Sequence, residues 1–252
     1  MQAEIRIIPI RRIGEVRPGD DLTTLLLTAL ADIGLALENG DILIVTQKIV
    51  SKAEGRLVDP ATVEPSPFAH QLAAQGRKDA AYQEVVLRES RRIVKMAHGV
   101  LITETHHGLI CANSGVDESN VAGGQVVCLL PLDPDASAAH LRAQIRTQTG
   151  TTVAVIISDT FGRPWRDGQV NVAIGCAGLL PLNDYAGVTD PYGYTLHVTL
   201  IAVADELAGA AELVMGKLDQ VPAAIVRGYA YTPSETATAR LLLRDPRADL
   251  FR

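Results

Sequence analysis

Four polar segments interrupt an otherwise apolar chain, and each carries side chains suited to phosphate or metal chemistry. In Ser158-Asp159-Thr160-Phe161-Gly162-Arg163-Pro164-Trp165-Arg166-Asp167, an apolar run (153–157) ends in an Asp-Thr pair followed by two arginines and the sole tryptophan. Carboxylate and hydroxyl oxygens at a strand tip suit a hard divalent cation lying beside phosphates. Arg163 and Arg166 are read as bidentate clamps for a carboxylate or phosphate. Asn113-Ser114-Gly115-Val116-Asp117-Glu118-Ser119-Asn120 offers more hard oxygen donors, without the spacing of a calcium loop. Thr46-Gln47-Lys48-Ile49-Val50-Ser51-Lys52-Ala53-Glu54-Gly55-Arg56 follows a second apolar run, and Lys52 can hold a phosphate as a point charge. Met215-Gly216-Lys217-Leu218-Asp219-Gln220-Val221-Pro222 joins a helix to a strand, and Gly216 there permits close approach of a ligand. Each segment also has a plainer reading: a solvated lysine, an Asx turn, a capped strand with a surface Trp–Arg stack, a helix C-cap.

Elements must hold these segments together. Residues 5–10 alternate charged and apolar types and predict a strand. Asp20-Asp21 starts an apolar helix over 22–37, and 42–45 is a buried strand. The pattern is helical over 65–90, and 100–105 with 109–112 predicts a hairpin around His106-His107-Gly108. Adjacent in a strand-like turn, the two histidines diverge. Strands are expected at 126–130, 153–157, 193–203 and 223–226, and helices at 136–147 and 206–214. The expected fold is mixed α/β or α+β with mixed sheets and a hairpin, a single domain over 1–252 of one or two intimate subdomains. No G-x-G-x-x-G and no G-x-x-x-x-G-K-[ST] occurs, so neither a Rossmann fold nor a P-loop is expected.

Composition narrows the function. The chain has 252 residues, 29 acidic against 23 basic, for a net charge of −6, and only 4% aromatics. Nucleic acid is therefore a poor partner, lacking both clustered cations and a stacking platform. Charge near the start and the lack of a long apolar run argue against a signal peptide and a membrane span, which predicts a cytoplasmic protein. Cys111, Cys128 and Cys176 are too few and too scattered for a disulfide framework, and read as small buried hydrophobes. No nucleophile elbow appears, so covalent catalysis by a side chain is not indicated.

In order and spacing, the segments resemble one family, the coenzyme F420 gamma-glutamyl ligases. The resemblance rests on Arg17-Pro-Gly-Asp-Asp21, the run Gly40 to Arg56, Ile102-Thr-Glu-Thr105, Ala112 to Asn120, Ile157 to Arg166, and Leu213-Val-Met-Gly-Lys217, nearly end to end. In actinobacteria the domain heads a longer protein, whereas this chain is similar to the free-standing form. The resemblance implies an unusual mixed fold and a homodimer. It further implies a GTP-dependent ligase that activates the lactyl carboxylate of coenzyme F420-0 as an acyl phosphate. L-glutamate then captures the acyl group, and a second, gamma-linked glutamate follows. It implies Mg²⁺ or Mn²⁺, and K⁺, as cations. Carried over by position, the metal ligands are Asp117, Asp159 and Thr160. Guanine nucleotide contacts fall on Arg12, Ile13, Gly14 and Glu15, on Gln47, Lys52 and Asn120, and on Met215, Gly216, Lys217, Leu218, Asp219, Gln220, Val221 and Pro222. Asp117 and Asp159, with Arg163 and Arg166 as clamps for the anionic substrates, form the expected catalytic set. Three positions depart from the pattern: Arg12-Ile13-Gly14-Glu15 replaces a Gly-Leu-Pro segment, Gln47 replaces Ser or Thr, and Lys217 replaces a metal-binding glutamine of archaeal members. A charged lysine has no lone pair to offer a metal, so at that position contact with phosphate is expected instead. The competing readings are a metal-dependent nucleotide phosphohydrolase and a nucleotide-binding module without turnover.

Overall fold

A computed structural model describes residues 4–76, 78–118 and 126–249. Asn120, expected to contact nucleotide, lies outside the described residues. The core is a six-stranded sheet of β1 (Arg6–Ile10), β12 (Ala223–Arg227), β2 (Ile42–Thr46), β8 (Ala154–Arg163), β9 (Arg166–Leu179) and β13 (Pro233–Ser234), in that spatial order. Only β2 and β8 run parallel; every other neighbouring pair is antiparallel.

The central strands are apolar throughout 42–45, 154–157 and 223–226 because both faces are covered there. Leu43, Val45, Val155, Ile157 and Ile225 point to a layer built from α1 (Leu22–Asp32), α2 (Gln47–Ala53) and α5 (Pro134–Thr149). Ile42, Ile44, Ile156, Ala224 and Val226 point instead to α6 (Val203–Met215). A smaller unit carries the three-stranded sheet β4 (Ser90–Ala97), β5 (Val100–Thr105) and β6 (Ile110–Ala112). It packs with α3 (Pro67–Gln75) and α4 (Ala80–Arg88) around Leu72, Tyr82, Val85, Val86 and Leu101. The mixed fold expected from sequence is the one observed.

Element boundaries differ from expectation for local reasons. The first helix stops at Asp32 rather than residue 37, because Gly34 adopts a left-handed φ of 70° and Leu35 N–H returns to the Leu30 carbonyl. The helical stretch 65–90 divides at Gly76, with Ser66 and Asp79 each capping the helix that follows. The hairpin gains a third strand, β4, whose arginine-rich sequence conceals its pairing with β5. The strand expected at 126–130 shortens to β7 (Val127–Cys128), paired with β3 (Leu57–Val58). Of the strand expected at 193–203 only β11 (Leu200–Ile201), paired with β10 (Asn183–Asp184), forms, since Tyr194 and Val198 are 61% and 91% exposed and bury no face.

β8 and β9 join in a long hairpin whose strands are pinned to α5 at one point. Gly175 faces the backbone of Pro134, where a Cβ would collide with the carbonyl, and Asp135 Oδ1 accepts from Cys176 N–H at 2.9 Å. Backbone cannot yield as a flexible side chain would, so Gly175→Ala is expected to destabilise by about 1–3 kcal/mol. That corresponds to a melting temperature roughly 2–10 °C lower, readable by calorimetry; an unchanged melting temperature would refute the contact.

Candidate active site

The parallel pairing of β2 and β8 ends with Thr46 opposite Ser158, and beyond it opens a cavity of about 1200 Å³. This is where an α/β sheet ordinarily places ligand groups. The sequence beyond β8 does not turn at residue 158, as its polarity suggested. It continues as strand to Arg163, and the turn of the hairpin falls at Pro164 and Trp165, the latter with a φ of 58°. Asp159 and Thr160 therefore stand mid-strand. At this level the register slips: Ile157 lies opposite Gly175 but Ser158 opposite Ala173, leaving Ile174 as the extra residue. Bulges of this kind re-aim side chains beside sites. Here Asp205 of α6 ties the bulge down by accepting from Ala173 N–H at 2.8 Å.

Asp117 reaches the cavity from the smaller unit, held by a two-way backbone bridge to Cys128 of 3.0 and 2.8 Å. The two acidic residues, 42 positions apart in sequence, thus line one wall system. Asp159 is raised to about 7, chiefly by burial and further by the charge of Asp117, against the opposing effects of the Thr160 N–H, Lys48 and Lys217. Lys48 Nζ sits 2.7 Å from Asp117 Oδ2. Lys52, only 7% exposed, places its Nζ 2.5 Å from Glu15 Oε1. Gln47 accepts a 2.8 Å bond from Ser51 Oγ. Thr160 Oγ1 donates to Asn171 Oδ1, and Asn171 Nδ2 donates to Glu212 Oε2, both at 2.8 Å. Ser158 Oγ is buried at the cavity wall and has no hydrogen-bond partner among the described residues.

Most residues singled out from sequence meet here. Ile13, Gly14, Glu15, Gln47, Lys52, Asp117, Asp159 and Thr160 line the cavity, as do Gly216, Lys217, Leu218, Gln220, Val221 and Pro222. Others do not. Arg12 is exposed, with a φ of 66° that turns the chain ahead of the lining residues. Met215 is fully buried under the sheet, because it is the last core-facing residue of α6. Asp219 folds back over Gly216 and does not line the cavity. Arg163 and Arg166 do not line it either. Strand β8 carries Arg163 about 13 Å beyond Asp159 at ~3.3 Å per residue. There its Nη2 donates to the Asp167 carbonyl at 2.5 Å, and Arg166 is exposed at the hairpin tip. The expected clamp is thus outside this cavity.

Lys48, Ser158, Asn171 and Glu212 line the site without having been singled out individually. Lys48 carried a legible signal, one helical turn before Lys52 on α2. Asn171 and Glu212 carried little, since a lone amide in a strand and a lone acid in a helix are ordinary surface residues by default. The histidines diverge as expected, His106 Nε2 to the Arg88 carbonyl and His107 Nε2 to that of Pro131. Cys111, Cys128 and Cys176 are free and buried, and burial pushes all three thiols up. Among the described residues no helix is long and apolar enough to cross a membrane.

Known proteins are similar to this chain in sequence over most of its length. A protein named coenzyme F420:L-glutamate ligase from Methanothermobacter thermautotrophicus is 44% identical over 250 residues, covering 98% of this chain and 99% of that protein. Proteins of the same name from Methanopyrus kandleri and Methanocaldococcus jannaschii are 46% and 44% identical, covering 98% and 86% of this chain. The F420-0:gamma-glutamyl ligase family profile matches residues 11–228, which contain every cavity-lining side chain described above. The chain is therefore a member of the F420-0:gamma-glutamyl ligase family of enzymes.

Proposed function

We propose that this chain joins L-glutamate to coenzyme F420-0 in a GTP-dependent reaction within coenzyme F420 biosynthesis. One observation carries the reading: Asp117 and Asp159 converge with Thr160, Lys48 and Lys52 on a single cavity large enough for a nucleoside triphosphate. The resemblance extends the proposal to a cytoplasmic homodimer using Mg²⁺ or Mn²⁺ together with K⁺.

The donors fit a hard divalent cation. Two carboxylates and a hydroxyl are all oxygen ligands, and a buried, unpartnered Ser158 Oγ lies beside them. Among the described residues no three His, Cys, Asp or Glu side chains gather to hold a metal by themselves, so phosphate oxygens and water would have to complete the coordination, as is usual for Mg²⁺ at nucleotides. Bound by Asp117, Asp159 and Thr160, the cation would neutralise developing charge on the phosphates.

The protein's own groups supply alignment and charge. Lys52, freed from exposed Glu15, meets phosphate as a point charge, and Lys217 adds a second cation to the same cavity. A carboxylate oxygen of coenzyme F420-0 attacks the terminal phosphorus of GTP, and the bond to the bridging oxygen breaks to release GDP. The amine of L-glutamate, having lost its proton, then attacks the acyl carbon, and inorganic phosphate departs. Positioning and electrostatics suffice for both displacements, consistent with the absence of a nucleophile elbow.

The test is incubation with coenzyme F420-0, L-glutamate, GTP and Mn²⁺, followed by mass spectrometry. A gain of one glutamate, then a second, with stoichiometric GDP is expected. Release of phosphate from GTP regardless of acceptor would make the protein a phosphohydrolase. A second outcome concerns Lys48, whose ammonium occupies Asp117. Lys48→Met removes a cation that competes for that carboxylate, so Mn²⁺ uptake is expected to tighten. Turnover should nevertheless fall by about 10- to 100-fold through the lost charge at the phosphates. Titration and steady-state kinetics on the same preparation check this opposition of signs; parallel changes would refute it.

A further inference from the structure

We propose that Glu212 and Asn171 are positioning residues that hold the Thr160 hydroxyl in the one orientation able to ligate a cation. The inference rests on the reading of Asp159 and Thr160 as a cation site. Thr160 of β8 and Asn171 of β9 are direct cross-strand partners, and Asn171 is 3% exposed. Strands disfavour asparagine, and a buried amide must satisfy both of its ends. Both ends are engaged here, one by Thr160 Oγ1 and the other by Glu212 Oε2, at 2.8 Å each.

The direction of this chain of bonds follows from the carboxylate. An ionised Glu212 only accepts, so the NH₂ of Asn171 must face it. The amide oxygen then faces Thr160, which directs its single proton there and keeps its lone pairs for the cavity. With the amide reversed, two acceptors would meet at Glu212 and an N–H would occupy a lone pair of Thr160. Glu212 thus acts through two hydrogen bonds on an atom it does not touch. Outer partners of this kind govern metal affinity as strongly as some ligands do.

Mn²⁺ uptake, followed by loss of the free-ion EPR signal, tests the pair without reference to turnover. Glu212→Ala suits the helix and is expected to weaken uptake by about 10- to 100-fold. Glu212→Gln should restore most of the affinity, because its amide oxygen still accepts from Asn171. In a Thr160→Val background, Glu212→Ala should cost nothing further, since the atom it orients is gone. The proposal is overturned if Glu212→Ala binds Mn²⁺ like wild type, if Glu212→Gln is as weak as Glu212→Ala, or if the loss recurs without the Thr160 hydroxyl. Failure of the underlying cation site looks different. Either the wild-type protein takes up no Mn²⁺ with or without GDP, or Asp159→Asn binds it undiminished, and both readings then fall together.

Discussion

Asp159→Asn is expected to lower ligase turnover by about 10³-fold or more, equivalent to about 4 kcal/mol of lost transition-state stabilisation. The substitution keeps shape and removes charge. Asp117 cannot compensate, because Lys48 already engages it at 2.7 Å and it enters from a separate unit of the fold. Folding should survive. Burial raises the Asp159 carboxyl to about 7, so its proton is held more tightly in the folded chain than in the unfolded one. The stability this gives is present below pH 4 and lost as pH rises through 7. Without cation, the asparagine variant should melt at or above wild type at pH 8, with the difference shrinking toward pH 5. Turnover within tenfold of wild type would remove Asp159 from the chemistry. A collapse in melting temperature would show its role to be structural.

Asp41→Ala is expected to destabilise the fold by about 3–5 kcal/mol, the range for stranding one partner of a buried ion pair. Asp41, 1% exposed, precedes β2 and accepts from Arg227 Nε at 2.8 Å, from Arg227 Nη2 at 2.7 Å and from the Glu38 N–H at 2.8 Å. The bonds fasten the start of β2 to the end of β12, and so set the register that brings Thr46 and Pro222 to the cavity. Glu38 also pairs with Arg227, but it is largely exposed and compensates little. Denaturant melts of Asp41→Ala, Arg227→Met and the double variant should show strong coupling, the double costing less than the sum of the singles. Strict additivity would mean that the pair contributes nothing specific.

Much of the site could be read along the chain because its chemistry is concentrated in short runs. Asp159-Thr160 after an apolar strand, Asp117 in an oxygen-rich loop and Lys52 behind β2 each announce themselves by breaking a hydrophobic pattern. The buried strands were equally plain, since a strand covered on both faces must be apolar throughout. The structure revised whatever depends on partners distant in sequence. A polar stretch looks like a turn until its cross-strand neighbours are known, and so 158–163 proved to be strand. Two arginines near an acidic pair look like a clamp until the strand carries them past the cavity. β4 was hidden because its pairing with β5, not its composition, makes it a strand.

The sequence by itself determined the class of chemistry, the alternation that builds the sheet, the helix caps and the family, because these reside in residue type and short spacing. Only the tertiary structure decided which carboxylates share a cavity and that Lys48 occupies one of them. It alone placed Arg163 and Arg166 outside and set Asn171 between Thr160 and Glu212. Those facts depend on sheet register and on helix α6 crossing the hairpin, contacts between residues tens of positions apart that no local pattern encodes.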